Sequence, residues 1–430
     1  MNKLKKAAHY LWLHAWKYRV IEGQHQRYLE QLRRRERVNV VFTAIDVTLW
    51  RYQHLYELMA ADGRFNVSIV LTPCTSRLHA DEDVEGLRRY FSQRGMKYVD
   101  FDFGGKPFDI KRELNPDIIF YTQPYEYLLE DEHDCRRFYD RLVCYVPYAF
   151  WTATGKLAYD LHFHNLAWRL YYSTTMHLED ARRMAGNQGR NVRVTGYPNA
   201  DDYLCAEHKS PWRVPTDGRQ RKRIIWAPHY SIKEKSTFAP RSNFLRMADL
   251  MVRLAQEYAD SVQFAFKPHP ALLTQLYEDS QWGRERTDAY YDLWRTMPNT
   301  QLETGAFIDL FMTSDAMIHD SASFSVEYHY TRKPVMFIAA DTQPILEGMN
   351  DFGKKAFALH YLGKDEADIR RFIDDTVLGG NDPMLPQREQ FFHDYLLPPG
   401  GKSVARNIYE SILGELGVRS YELGWIHRRH

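Results

Sequence analysis

The sequence predicts an α/β protein built from two parallel-sheet units. Three observations carry that prediction. From Val38 onward, short and nearly continuous apolar runs alternate with helical segments, the pattern of strands buried on both faces of a parallel sheet. The alternation breaks at residues 206–222, AEHKSPWRVPTDGRQRK, a polar stretch with two prolines and a glycine, and then restarts; such composition marks a linker. The chain, at 430 residues, also exceeds what one ordinary core organises.

The elements follow in order. Residues 1–36 predict a basic amphipathic helix with a spacer. Lys3, Lys5, Lys6, Lys17 and Arg19 surround Leu4, Tyr10, Leu11, Trp12, Leu13, Trp16 and Val20, with no acid before Glu22. Such a helix can lie in a membrane interface, drawn by anionic lipid; it can equally pack on the body of the protein with its basic face solvated. Residues 24–37 read as a charged helical spacer. A first Rossmann-like domain spans 37–205, with a strand at 38–44, a helix at 50–61, a strand at 67–71 and a helix at 83–94. Runs at 98–101, 117–121 and 141–146 continue the series. It has no GxGxxG, which argues against a dinucleotide cofactor.

The second Rossmann-like domain spans 223–385. Its segments are 224–227, a long helix around 243–259, 262–266, 307–312, 316–319 and 335–339. Residues 386–430 form a C-terminal helical tail, amphipathic over 404–416.

Composition excludes several classes. Lys plus Arg number 57 against 56 Asp plus Glu, a net charge of +1, so no global field favours nucleic acid. Cys74, Cys135, Cys144 and Cys205 are scattered without CxxC or Cys/His metal spacing, which indicates a reducing compartment and no zinc site. No run approaches a transmembrane helix and no signal peptide is visible. The expectation is a cytoplasmic protein, with the first helix as a route to the cytoplasmic face of a membrane. Most of the abundant aromatic residues are expected to fill cores.

Two loops of the second domain hold the chemistry. Lys267-Pro268-His269-Pro270 closes an apolar run; proline on both sides limits the backbone and holds the imidazole at a strand end. There His269 could stabilise a leaving phosphate, with Lys267 adding charge, or could simply be a loop histidine bonded to a carbonyl. The second loop, Asp320-Ser321-Ala322-Ser323, follows the strand 316–319, and a helix is expected from Ser325. Hydroxyls and free N–H groups at a helix N-terminus bind anions; ordinary N-capping is the plainer role for Ser321 and Ser323. Glu327 could accept from a ribose hydroxyl or complete a capping box. A third loop, Trp226-Ala227-Pro228-His229-Tyr230-Ser231, brings His229 to a strand end, for phosphate or for acceptor. In open α/β sheets ligands bind at the carboxyl ends of strands. Two α/β units with nucleotide-type loops in the second describe a GT-B architecture, with substrate expected in the cleft between domains.

These loops, in this order, resemble the CDP-glycerol glycerophosphotransferase family of teichoic acid polymerases and primases. That family carries a strand ending in APT or APH, then Arg/Lys-x-His-Pro, then SD-x-x-I-T-D-x-SS with an acid downstream. Here they read Trp226–His229, Lys267–Pro270 and Ser314–Ser323 with Glu327. Thr195-Gly196-Tyr197-Pro198-Asn199-Ala200-Asp201 resembles a flanking TGxPRxD segment. Gly401-Lys402-Ser403, with Arg406 and Ile408, resembles a late DGK element. The likeness runs over roughly residues 192–416. One departure stands out: where family polymerases carry Trp-His-Gly-Thr-Pro, with a histidine thought to act as base, this chain has Cys144-Tyr145-Val146-Pro147-Tyr148-Ala149-Phe150. The nearest histidines are His162 and His164, and either could serve as base or pack as structure.

The resemblance implies a transferase that moves glycerol phosphate, or a related polyol phosphate, from a CDP-linked donor to a cell-surface glycopolymer and releases CMP. His269, Lys267, Ser321 and Ser323 would hold the pyrophosphate, Asp320 and Glu327 the loop or the ribose, and His162 or His164 the acceptor proton. The partners implied are the CDP-polyol donor, a glycan or lipid-linked acceptor and a membrane surface, with no nucleic acid, cofactor or metal. The histidine–proline and serine-rich pair also resembles loops of CMP-sugar transferases, so a glycosyltransferase using a CMP- or UDP-sugar is the second reading. A non-catalytic sugar-binding scaffold is the third.

Overall fold

The computed structural model describes residues 3–74, 80–102, 105–232, 242–321 and 324–418; the side chains of 3–16 and 80–82 fall outside that description. The chain forms two compact units. One comprises Met1–Trp151, Gly155–Asp201 and Leu397–His430; the other comprises Thr152–Thr154 and Asp202–Leu396.

The first unit is a six-stranded sheet in the order β2-β1-β3-β4-β5-β6. Its strands are β1 Val38–Ala44, β2 Phe65–Leu71, β3 Ile118–Tyr121, β4 Leu142–Tyr145, β5 Arg169–Tyr172 and β6 Val192–Val194. All pairings are parallel, with Val40 opposite both Val67 and Ile118. β1 is apolar almost throughout and buried along its length, as a central parallel strand must be. Residues 98–101 do not form the strand the apolar pattern suggested: only Val99 bridges to Val70. Asp100 within that short run and Asp102 just after it make other bonds, Asp100 to Arg88 (2.9 Å) and Asp102 to the Gly105 N–H (2.7 Å).

The N-terminal segment is one continuous helix, Lys3–Leu32, rather than a helix and a separate spacer. Its second half is tied to the sheet. Asp117, just before β3, accepts from Tyr28 (2.6 Å), Arg35 (2.8 Å) and the Asn39 N–H (2.8 Å). Leu29 and Leu32 are buried beside these contacts. The half whose side chains are described therefore packs on the protein. Among the described residues no helix is long and apolar enough to cross a membrane.

Two motifs that flank the site motifs in sequence meet here. The Asp201 carboxylate accepts from the N–H groups of Val404 (2.6 Å) and Ala405 (2.9 Å), at the start of helix Val404–Glu415. An acid at the N-terminus of a helix satisfies orphan donors and its dipole. Gly196 has φ +102, and a Cβ there would stand 2.8 Å from Val404 Cγ2 and 3.1 Å from Pro398 Cβ, so this position requires glycine. Both motifs build the seat of that helix.

The second unit repeats the plan in the order β12-β11-β10-β7-β8-β9. Its strands are β7 Lys222–Ala227, β8 Val262–Phe266, β9 Thr300–Leu302, β10 Ala316–His319, β11 Val335–Ile338 and β12 Tyr361–Gly363. Residues 307–312, one of the apolar runs, form a short helix at Ile308–Met312 instead. Trp226, Phe244, Phe266, Tyr290 and Trp294 stack into an aromatic core beneath β7 and β8, with Trp226 and Phe266 centroids 4.9 Å apart.

Candidate active site

In the second sheet the chain runs outward from β7 to β8 and β9, then returns to β10 on the other side of β7 and runs outward again. The β7–β10 boundary is the switch point of the sheet, where open α/β proteins bind ligands at the carboxyl ends of strands. The loops leaving β7, β8 and β10 are the three singled out by sequence.

Strand pairing fixes their approach. The Lys267 N–H donates to Trp226 O (2.8 Å) and the His269 N–H to Pro228 O (3.1 Å), so the β8 loop lies along the β7 loop. The rings of His229 and His269 are 5.1 Å apart between centroids. Tyr230 lies against both, at 4.3 Å and 4.5 Å.

His269 is the N-cap of helix Pro270–Tyr277: its Nδ1 accepts from the Ala271 N–H (3.2 Å). That bond puts the ring proton on Nε2. Burial, then the neighbouring Lys267 charge, lowers its pKa to about 4, so the ring is neutral near pH 7 and Nε2–H is a donor. His229 behaves alike. Its Nδ1 accepts from the Ser231 N–H (3.4 Å) and meets Ser231 Oγ (2.8 Å), and burial followed by the His269 charge lowers its pKa to about 4.

Lys267 supplies the positive charge. The residue is 5% exposed and makes no hydrogen bond or ion pair through its ammonium among the described residues. Burial lowers its pKa, opposed by the charge of Glu303. A buried cation without a partner is costly unless an anion arrives to meet it. Two neutral imidazole donors and one such cation suit a phosphate oxyanion.

Asp320 is a tie between loops. One oxygen accepts from the His229 N–H (2.7 Å), the other from Ser242 Oγ (2.9 Å) and from the Asn243 N–H. Burial pushes its pKa up to about 6 against those three donors. Ser321 is buried; its N–H donates to His319 Nδ1 (3.2 Å) and its carbonyl accepts from Ser325 Oγ (3.2 Å). Its hydroxyl has no hydrogen bond among the described residues. Ser323 lies outside the described residues. Glu327 is buried at the end of the turn Phe324–Glu327, which continues as a 3-10 turn over Tyr328–Thr331. The expected helix after the serines is therefore one α-helical turn, too short for an appreciable macrodipole. Positive charge at the site comes from Lys267 instead.

The two first-unit histidines part company on helix His162–Leu166. His164 is 1% exposed; its Nδ1 accepts from the Leu161 N–H (3.2 Å), and burial lowers its pKa to about 3. His162 is partly exposed, with Nδ1 2.8 Å from Glu126 Oε1. Sequence reading overlooked Tyr230, although it lies in the quoted β7 loop beside His229. It also overlooked Ser242 and Asn243, for which no local pattern signals a partner of Asp320. Glu126 was missed too, 36 residues from His162 in the chain.

A parallel two-unit α/β fold of GT-B type carries a cation and imidazole donors at the switch point of its second sheet, an arrangement suited to a phosphate-bearing ligand. Residues 157–346, under half of the chain, match the model of the CDP-glycerol:poly(glycerophosphate) glycerophosphotransferase family, the family the loops resemble, and over that stretch the chain is glycerophosphotransferase-like. The matched stretch holds every predicted site residue but leaves out Cys144–Phe150 and the Gly401–Ser403 element, a narrower span toward the C-terminus than the motifs suggested. No curated protein matches the chain.

Solved structures share the fold. The wall teichoic acid polymerase TagF superposes with a TM-score of 0.57 at 14% identity, covering 97% of this chain and 99% of that one. The same polymerase soaked with CDPG gives 0.51 at 13% identity, covering 97% and 99%. The UDP-GlcNAc 2-epimerase from Neisseria meningitidis, bound to UDP-GlcNAc, gives 0.53 at 14% identity, covering 88% and 100%.

Proposed function

We propose that the protein transfers glycerol phosphate, or a closely related polyol phosphate, from a CDP-linked donor to a hydroxyl of a surface glycopolymer, releasing CMP. The observation that carries this reading is the buried Lys267, whose ammonium has no hydrogen-bond partner among the described residues, in the loop with His269 and along that of His229, in a stretch that matches the glycerophosphotransferase family. The complex of TagF with CDPG supports the same donor class.

In this reading the acceptor oxygen attacks the β-phosphorus. The new O–P bond forms as the bond from that phosphorus to the oxygen bridging it to CMP breaks, and CMP carries away the bonding pair. Lys267 and the Nε2–H groups of His269 and His229 meet the charge that builds on the phosphoryl oxygens and the leaving group. The Ser321 hydroxyl adds a donor, joined by Ser323 as read from sequence. Asp320 holds the β7 and β10 loops in register, and Glu327 orders the loop or the ribose. His162 takes the acceptor proton; His164, sealed in the core, has no route to one. Basic residues of the first helix would add attraction to an anionic membrane carrying the acceptor.

Thermal stabilisation by CDP-glycerol, CDP-ribitol, CMP, CMP-sugars, UDP and UDP-sugars tests the donor, since a ligand that binds only the folded state raises the midpoint. A shift selective for a CDP-polyol and lost in His269→Ala is expected. A larger shift with UDP- or CMP-sugars would move the protein to the glycosyltransferases, and no shift with any nucleotide would favour a scaffold.

A further inference from the structure

A second constellation sits in the first unit, where chain direction also reverses: β1 runs to β2 on one side and to β3 on the other. The loop leaving β3 at Tyr121 carries Glu126. Glu126 Oε1 accepts from Tyr139 Oη and lies 2.8 Å from His162 Nδ1. On the far side of the ring, Lys17 Nζ is 2.6 Å from His162 Nε2. An ammonium can only donate, so Nε2 is the acceptor and the ring proton rests on Nδ1, where the carboxylate receives it. The tautomer is thus set from both sides.

Exposure grades outward across the group. The Glu126 side chain is 15% exposed and His162 32%, while Lys17 is solvent-exposed. A shielded carboxylate behind an accessible imidazole orients a base and stabilises the imidazolium it becomes. The backbone is bent to make this arrangement. Tyr127, next to Glu126, has φ +66, a conformation uncommon for a bulky residue. Its N–H is held by Asp134 (2.7 Å) and its ring by Arg136 (3.7 Å). The turn sends Glu126 toward His162 and leaves Tyr127 70% exposed.

We infer that Glu126 is the positioning residue of the acceptor base His162, and that Lys17 occupies the base's lone pair until an acceptor hydroxyl displaces it. This rests on the transfer reading above. In the step, the hydroxyl proton passes to His162 Nε2 as the O–P bond forms and CMP departs; the resulting imidazolium is held against Glu126 and later returns its proton to water. The charged and titratable groups facing the pair are Lys17, Glu126, Tyr139 and Arg136. Lys17 belongs to the long first helix, so the arrangement couples the seating of that helix to the state of the base.

The test uses the full chain, CDP-glycerol and isolated envelope membranes as the acceptor source, with CMP release followed against pH. Glu126→Gln is expected to lower kcat by about 100-fold or more, to move the acid limb of the profile to lower pH, and to leave calorimetric CDP-glycerol affinity unchanged. Glu126→Asp should recover part of the rate. Lys17→Ala removes a competing donor and a like charge beside the ring, so it should move the acid limb to higher pH and leave CDP-glycerol affinity unchanged. A Glu126→Gln enzyme with the wild-type profile, or one whose loss lies in donor affinity or melting temperature, overturns the assignment. So does wild-type turnover by His162→Ala. Failure of the wild-type enzyme to bind CDP-glycerol would instead sink the donor reading, which the calorimetry reports separately.

Discussion

Replacing Lys267 with methionine should make the protein more stable and less able to bind its donor. Lys267 ends a fully buried strand and is itself 5% exposed, with no hydrogen-bond partner for its ammonium among the described residues. The protein therefore carries a largely desolvated charge, eased only by the Glu303 carboxylate. Methionine fills a similar volume without that charge, and the gain in unfolding free energy should be about 1–3 kcal/mol. In the complex, the same change deletes a charge-assisted hydrogen bond to phosphate, about 1.5–3 kcal/mol, or roughly a 10- to 150-fold rise in Kd. Urea unfolding and calorimetric titration with CDP-glycerol measure the two effects on the same samples. The pH dependence adds a signature. Burial lowers the folded-state pKa of Lys267, so between that value and the ordinary lysine value the unfolded chain holds more protons, and stability rises with pH across the window. The variant should lack that slope. A methionine variant that is less stable yet binds CDP-glycerol normally would refute the reasoning and make Lys267 a structural residue.

Other expectations follow from single contacts. His269→Ala should lose both donor binding and the cap of helix Pro270–Tyr277, costing about 1 kcal/mol of stability, whereas His269→Asn should keep the cap and still lose CMP release; melting and turnover separate the two. Asp320→Asn turns an amide N–H toward groups that donate to it, and chemical denaturation should show a loss of about 2–3 kcal/mol. Because burial raises the folded-state pKa of Asp320 to about 6, its proton-linked stabilisation is full below the unfolded carboxylate range and fades as pH rises through about 6; the asparagine variant should not show that decline. Gly196→Ala forces a Cβ against Val404 and Pro398 at φ +102, and thermal unfolding should report a loss of about 2–4 kcal/mol.

Much of this architecture could be read from residue order, because parallel strands buried on both faces must be apolar almost throughout. β1, β3, β7, β8, β10 and β11 announce themselves that way. Four strands that did not are instructive. β5, Arg169–Tyr172, begins with an arginine that pairs with Glu415, far away in the chain, and no local pattern encodes that partner. β6, β9 and β12 have three residues each, too short to show a period. Residues 98–101 had the apolar character of a strand without its partners. In the site, His229, Lys267 and His269 were legible because strand ends deliver them in sequence-contiguous loops. The distinction between His162 and His164 was not, since it depends on which ring faces Glu126 and Lys17 and which is sealed among Tyr145 and Phe163. The roles of Asp201 and Gly196 were equally hidden: both sit in a motif that looked functional and proved to seat a helix some two hundred residues later.

Which bond of the donor breaks distinguishes phosphoryl transfer from glycosyl transfer. Incubating the enzyme with CDP-glycerol labelled in the glycerol, together with isolated envelope membranes, and separating the nucleotide products by chromatography shows which. CMP in equal amount to label incorporated into membrane polymer is expected, both falling in Lys267→Met at a donor concentration near the wild-type Kd. Release of CDP, or incorporation from a UDP-sugar but none from CDP-glycerol, would contradict that expectation.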